Sequence, residues 1–291
     1  MDDEGFEICI NFESGSGDPS RIFKAMSGLI DAIQALDSHL AASFDIALTT
    51  TLVLDEIESG SIKARLRNLI SGIPDEAIKD GDWKKILGIY LLKAKYAILD
   101  WTNEKESIEN RSDVQLLEAE LLRLAEETDI RNLPAYMLPN AETLLSDVYM
   151  VQESLGNLSE NDSATYQYRD NAIKFNKDLN ISNEVVREVL TKEVVEISGK
   201  RILKVKKPDY LGQSMWAFQL ENRAIEAKVT DRIWLQKFQN RGEDVRPGDS
   251  LRVLLYEEVS YGYEGEIIHH HYEVKTVEQI IRPPSQRNIS F

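Results

Sequence analysis

The sequence predicts an α+β protein with an N-terminal strand–helix–hairpin unit, a helical middle and a small SH3/OB-like β-barrel at the C-terminus. Three observations predict this class. Strand, helix and hairpin patterns follow one another over residues 5–72, helical spacing dominates residues 74–192, and period-2 alternation prevails after residue 193. We therefore expect two domains, 1–191 and 192–291.

The N-terminal unit opens with "FEICINF", in which apolar and polar residues alternate as in a half-buried strand. Asp18 and Pro19 then suit the start of a helix. That helix has one apolar stripe, formed by Ile22, Met26, Leu29, Ile33, Leu36 and Leu40. The segments "DIALTTTLVLDEI" and "IKARL" flank an "ESGS" turn and predict a β-hairpin.

The middle of the chain contains residues typical of helix N-termini. Ser112 with Gln115 predicts a capping box, and Asn140 predicts the cap of the helix that follows it. The segment "NLSENDSATY" is typical of a loop, and Ser182 precedes a helix over "NEVVREVLTKEVVE". After it, about five short strands and one helix capped by Asp231 predict a closed barrel.

Composition limits the class of protein. Of the 291 residues, 42% are apolar and 29% charged, which is typical of a globular protein. A single cysteine, Cys9, excludes a disulfide framework and a cysteine zinc site. The acidic start differs from a secretory signal, so we expect a cytoplasmic location, with membrane association as the alternative.

The net charge of −16 is unevenly distributed along the chain. Residues 192–291 contain 16 Lys and Arg against 15 Asp and Glu, a net of +1, whereas the first 191 residues carry −17. This asymmetry indicates two units with different surfaces. The acidic part should repel nucleic acid and anionic lipid.

The stretch "DWKKILGIYLLKAKYAILDW" is the most apolar run and carries Trp83 and Trp101 at its edges. Its apolar core is shorter than a membrane span, and Lys93 and Lys95 interrupt it. Two interpretations follow. The helix is buried in a core with its lysines reaching the surface, or several copies assemble with the lysines in a wet shared interior.

The only dense basic run is "GKRILKVKK". As a strand it places Lys200, Lys204 and Lys206 on one side, and Tyr210 and Trp216 follow. Basic strands with aromatic residues on small barrels bind single-stranded nucleic acid or a nucleotide. The alternative is a solvated strand face.

Other candidate sites are weaker. His269 and His271 share a strand face, with Glu266 and Glu273 nearby, but spacing alone does not assign a metal. The "GSGDPS" loop lacks the residues of a phosphate-binding motif, and Cys9 and His39 sit in apolar patterns. The sequence predicts no cofactor and no catalytic residue.

Two segments, "FEICINF…DPSRIF…LVLDEIESGSIKARL" and "AIEAKVTDRIWLQKF…VRPGDSLRVLL…YEVKTVEQI", resemble uncharacterised bacterial anti-phage defence or prophage proteins. The resemblance implies an effector or partner-binding subunit, including a membrane channel component controlled by a nucleotidyltransferase partner. We therefore expect a non-enzymatic, homo-oligomeric effector. The alternatives are a cytosolic nucleic-acid or nucleotide-binding module and a metal-dependent hydrolase using His269 and His271.

Overall fold

The chain divides into two units, Met1–Leu190 and Thr191–Phe291. Helices accompany a sheet in the first unit, and the second contains a closed five-stranded barrel, which confirms the α+β class. The computed structural model describes residues 5–13, 15, 18–43, 49–58, 62–71, 83–103, 105–128, 137–211 and 214–282.

The N-terminal strand–helix–hairpin unit is confirmed. Strand β1 spans Gly5–Asn11, helix α1 Ser20–Ala42, strand β2 Thr49–Glu58 and strand β3 Ile62–Ser71. Strands β2 and β3 pair antiparallel as a hairpin, and β3 also pairs with β1. The apolar members of β1 are almost fully buried beneath α1, as the alternation predicts.

In its described parts, the helical middle contains three long helices and one short one, α2 (Trp83–Thr102), α3 (Arg111–Glu127), α4 (Ala141–Leu155) and α5 (Asn183–Leu190). Helices α1 and α2 pack against the sheet, α3 packs on α2, and α4 packs on α1. No helix among the described residues is long and apolar enough to span a bilayer.

A hairpin lies where the sequence predicted loop and helix. Strands β4 (Ser163–Tyr168) and β5 (Asn171–Lys174) extend the sheet to the order β2-β3-β1-β4-β5. With β4 antiparallel to β1, the first four strands have the arrangement of a split βαβ fold. The period-2 signal in "SATYQY" is real, but it covers only a short strand, and the outward residues of that strand are polar.

Two helix boundaries also differ from the prediction. Helix α3 is capped by Asn110, whose side chain accepts a hydrogen bond from the Asp113 amide at 3.2 Å, instead of by a box at Ser112. Helix α5 ends at Leu190, and "EVVE" belongs to the next strand. The predicted cap at Asn140 is confirmed, since its side chain accepts from the Glu142 amide at 2.7 Å.

The second unit is a closed barrel with strand order β10-β8-β7-β6-β9. Its interior is filled by aromatic and aliphatic side chains, among them Trp216, Phe218, Trp234 and Phe238. Its elements are β6 (Glu193–Lys207), β7 (Trp216–Leu220), β8 (Arg223–Val229), α6 (Arg232–Gln239), β9 (Ser250–Tyr261) and β10 (Ile267–Ile281). Asp231 caps α6 as predicted, by accepting from the Trp234 amide.

Candidate functional site

Lys95 of α2 lies in the core of the first unit. Its ammonium donates to both carboxylate oxygens of Asp37 on α1, at 2.6 and 2.8 Å, and to Asn68 Oδ1 on β3 at 3.1 Å. Neither charged side chain is exposed, and the Phe6 ring lies 4.4 Å from the ammonium. Burial lowers the pKa of Lys95 and raises the pKa of Asp37, whereas their mutual attraction opposes both shifts.

This pair corrects both interpretations of Lys95. Its ammonium reaches neither bulk water nor a shared interior, because Asp37 supplies its counter-charge inside the same unit. A buried lysine with a hydrogen-bonded carboxylate partner avoids the cost of an isolated charge. The apolar run around it is therefore explained as a core helix.

Lys93 and Trp101 line an open cleft of about 550 Å³ between α2, α3 and the β4–β5 hairpin. The Trp101 ring nitrogen donates to the Asp113 carbonyl at 2.9 Å, and the Lys105 ammonium lies 5.2 Å from the ring centre. These contacts fix Trp101 between two helices of the unit. Trp83 begins α2, but its side chain lies outside the described part of the chain.

The charges in this cleft balance one another. Its lining has three cations and three anions, and Arg123 is bound by two glutamates of its own helix, Glu120 and Glu127. A cleft with no excess of one sign has little attraction for a charged ligand. The ionisable groups that line it are Lys93, Asp100, Glu120, Arg123, Glu127 and Arg169.

The basic run forms one face of the barrel strand β6. Leu203 and Val205 point into the barrel core, so Lys204 and the even-numbered residues before it point outward, as the alternation predicts, whereas Lys206 lies at an irregularity in the pairing with β7. Lys200, Lys204 and Lys206 are all exposed. The structure therefore places the three lysines on one outer surface.

Strand β9 adds a cation to this surface that the sequence reasoning missed. Arg252 pairs in register with Ile202 of β6, between the lysines. It lines an open groove of about 660 Å³ with Lys200 and Arg201. Alternation in "SLRVLL" places Arg252 outward, but the identity of its neighbouring strand depends on barrel topology and is not readable from the sequence. We call Lys200, Lys204, Lys206 and Arg252 the basic strip.

Two glutamates reduce the positive charge at one end of the basic strip. Lys200 bonds Glu278 of β10 at 2.7 Å, and Glu221 also lines the groove. Arg252 donates to the side-chain oxygen of Gln279 at 3.1 Å. Lys204 and Lys206 contact no carboxylate among the described residues, so the other end of the strip carries uncompensated positive charge.

Of the two aromatic residues predicted to contact a ligand, Tyr210 and Trp216, only Tyr210 lies on the surface. Tyr210 is half exposed, stacks on Phe238 with ring centres 5.1 Å apart, and donates its hydroxyl to the Val245 carbonyl at 3.0 Å. Trp216 is only 1% exposed and packs inside the barrel, so the prediction that it contacts a ligand is wrong. Its alternation with Phe218 is the sequence signal for an inward position.

The histidines lie on β10. The rings of His269 and His271 stack 6.1 Å apart on one face, as predicted, whereas His270 contacts Glu257 at 2.8 Å on the other face. His271 contacts Glu273 at 3.1 Å. No cluster of three metal-ligating side chains occurs in the described parts of the chain.

A further ionisable pair joins α1 to α4. His39 Nδ1 lies 2.8 and 3.0 Å from the two carboxylate oxygens of Asp147. Burial raises the pKa of Asp147 to about 6, although the bond to His39 opposes the shift. The sequence predicted His39 as a core or surface histidine, and nothing in it indicated Asp147 as the partner, which lies 108 positions away.

Comparisons with known proteins add no relative. No protein-family model, no curated protein and no solved structure matches the chain. The function is therefore inferred from the chemistry of the residues described above.

Proposed function

We propose that the protein is a non-enzymatic binding subunit that holds a single strand of nucleic acid along the basic strip. The observation that carries this proposal is the outward row of cations on β6 and β9. Phosphate contacts from lysine and arginine supply most of the affinity in sequence-independent nucleic-acid binding.

The chemistry of the strip suits a flexible strand. Exposed Lys204 and Lys206 are available for phosphates, and Ile202, which is 53% exposed between the cations, offers an apolar contact for a base. Tyr210 presents the ring face that Phe238 does not cover. Proteins that bind single strands combine a positive track with such stacking surfaces.

The packing of the barrel supports an external ligand. Large aromatic side chains of β7 and α6 fill the interior, as in small barrels that enclose no ligand. The unit that carries the strip has a net charge of +1, whereas the rest of the chain is strongly acidic. A charge-distinct barrel favours attraction of an anionic polymer to this unit.

Fluorescence anisotropy with labelled 20-nucleotide DNA and RNA single strands tests the proposal on the full chain. We expect Lys204→Glu with Lys206→Glu to weaken binding at least tenfold. The control is Lys228→Glu, an exposed lysine on β8 whose substitution should leave affinity unchanged. Equal affinity of the double variant and the wild type would contradict the proposal.

The broader hypotheses stay predictions. Membership of an anti-phage defence system, action as an effector and control by a nucleotidyltransferase rest on the sequence resemblance alone. The channel version rested on the apolar stretch of α2, and burial of that stretch in the first unit accounts for its composition. We therefore give the nucleic-acid proposal precedence.

A further inference from the structure

Strand β6 has an open edge. It pairs with β9 from Glu193 to Lys204, but β7 joins its other side only from Leu203 onward. Among the described residues, the edge from Glu193 to Ile202 therefore has no hydrogen-bonding strand. An exposed edge of this length is a template for pairing with another strand.

The edge carries exposed apolar side chains, and one charged side chain occupies it: the Arg201 guanidinium donates to the Lys200 carbonyl at 3.1 Å and would move aside on pairing. Val194, Ile197 and Ile202 are 49%, 47% and 53% exposed. The ladder to β9 runs over this stretch without a register shift, and the edge contains no proline. Natural proteins protect open edges with bulges, prolines or charged side chains. This edge lacks the first two, and its outward charges are of both signs, so it suits a partner strand that matches those charges.

We propose that a second copy of this chain pairs with the open edge, antiparallel and centred on Ser198. In this register the outward residues meet in complementary pairs. Val194 lies opposite Ile202 of the other copy, Glu196 opposite Lys200, and Ser198 opposite Ser198. Opposite charges and apolar pairs directly across a strand interface stabilise antiparallel sheets.

The neighbouring registers are worse. Centring the pair on Ile197 places Val194 opposite Lys200, whereas centring it on Gly199 places Glu196 opposite Ile202. On the outward face, each shift buries an apolar side chain against a charged one, which the favoured register avoids there. On the inner face of the favoured register, Ile197 lies opposite Gly199, beside which the Arg201 guanidinium of the same strand is placed, and Val195 lies opposite Arg201.

This pairing is self-limiting. A two-fold axis through Ser198 uses the same edge of both copies, so the contact closes as a dimer and does not propagate. The two three-stranded β6–β9–β10 ladders become one six-stranded sheet. The even-numbered faces of both β6 strands then lie on the same side of that sheet.

The test is the mass of the full chain by sedimentation equilibrium from 1 to 200 µM. We expect a dimer for the wild type, and at least tenfold weaker association for Glu196→Lys and for Lys200→Glu, because each places like charges opposite across the axis. Mixing the two variants restores two opposite-charge pairs, so the mixture should associate as a heterodimer. The control Glu226→Lys, an exposed change on β8, should dimerise like the wild type.

Restoration in the mixture separates loss of pairing from loss of folding, since a misfolded chain would not associate on mixing. Both residues have a partner in their own chain, Lys200 with Glu278 and Glu196 with Tyr256, so restored association in the mixture is the deciding result. A wild-type monomer at all concentrations would overturn the proposal and leave the edge for a strand of another protein. Undiminished association of either single variant would overturn it too.

Discussion

The environment of Lys95 could not be predicted from the sequence, because its partner is distant along the chain. Its place in an apolar run left two interpretations, a core helix whose lysine reaches the surface or an oligomer with a wet interior, because Asp37 lies 58 positions away on another helix. Periodicity places Lys95 and Asp37 on helices but does not tell which helices cross. The pairing of buried charges is therefore the part of the site that sequence reasoning could not supply.

We expect Lys95→Met to destabilise the fold by about 3–5 kcal/mol, because it leaves the Asp37 carboxylate buried and unpaired. The double variant with Asp37→Leu should regain most of this loss, since it removes both charges. Urea unfolding measures the free energies. If the loss of stability in the double variant equals the sum of the losses in the two single variants, the unpaired buried charge is not the cause of the destabilisation.

Asp147 should make stability depend on pH. Its pKa is raised from an ordinary 3.8 to about 6 in the fold, so the folded chain binds the extra proton between these values. Stability from this group is present below the unfolded pKa and is lost as pH rises through 6. From pH 7 to pH 4.5 the wild type should gain about 2 kcal/mol relative to Asp147→Asn in urea unfolding. An equal response of both proteins would contradict the raised pKa.

At the level of elements, the sequence predicts most helices and strands because their apolar periods are long. Helix α1 and the barrel strands have clear stripes or alternation. The β4–β5 hairpin was missed because its strands are short and follow a polar loop. Order within the sheet and barrel depends on contacts between distant strands, so Arg252 could not be assigned to the basic strip in advance.

Helix α3 offers a test of an individual element. Asn110 caps it in the structure, whereas the sequence pattern favoured Ser112. We expect Asn110→Ala to cost about 1 kcal/mol, because the Asp113 amide loses its acceptor, and Ser112→Ala to cost less than about 0.5 kcal/mol. Urea unfolding of both variants decides between the two caps, and a larger loss for Ser112→Ala would favour the predicted box.

At the scale of the whole molecule, the chain joins an acidic unit to a nearly neutral barrel unit that carries a row of cations on β6 and β9. Salt screens both the long-range repulsion of nucleic acid by the acidic unit and the attraction by the cations of the barrel, and only the second effect weakens binding. The basic strip and the net charge of the chain therefore contribute differently to the affinity for nucleic acid, and the dependence of that affinity on salt separates the two contributions.

The salt dependence of single-strand binding tests the central claim most directly. Each phosphate neutralised by a lysine contributes about 0.7 to the slope of log K against log salt concentration. Lys204→Gln with Lys206→Gln should therefore flatten the slope by about 1.4 relative to the wild type, measured by anisotropy with one labelled oligonucleotide between 50 and 300 mM salt. An unchanged slope would show that the strand binds elsewhere and would contradict the account.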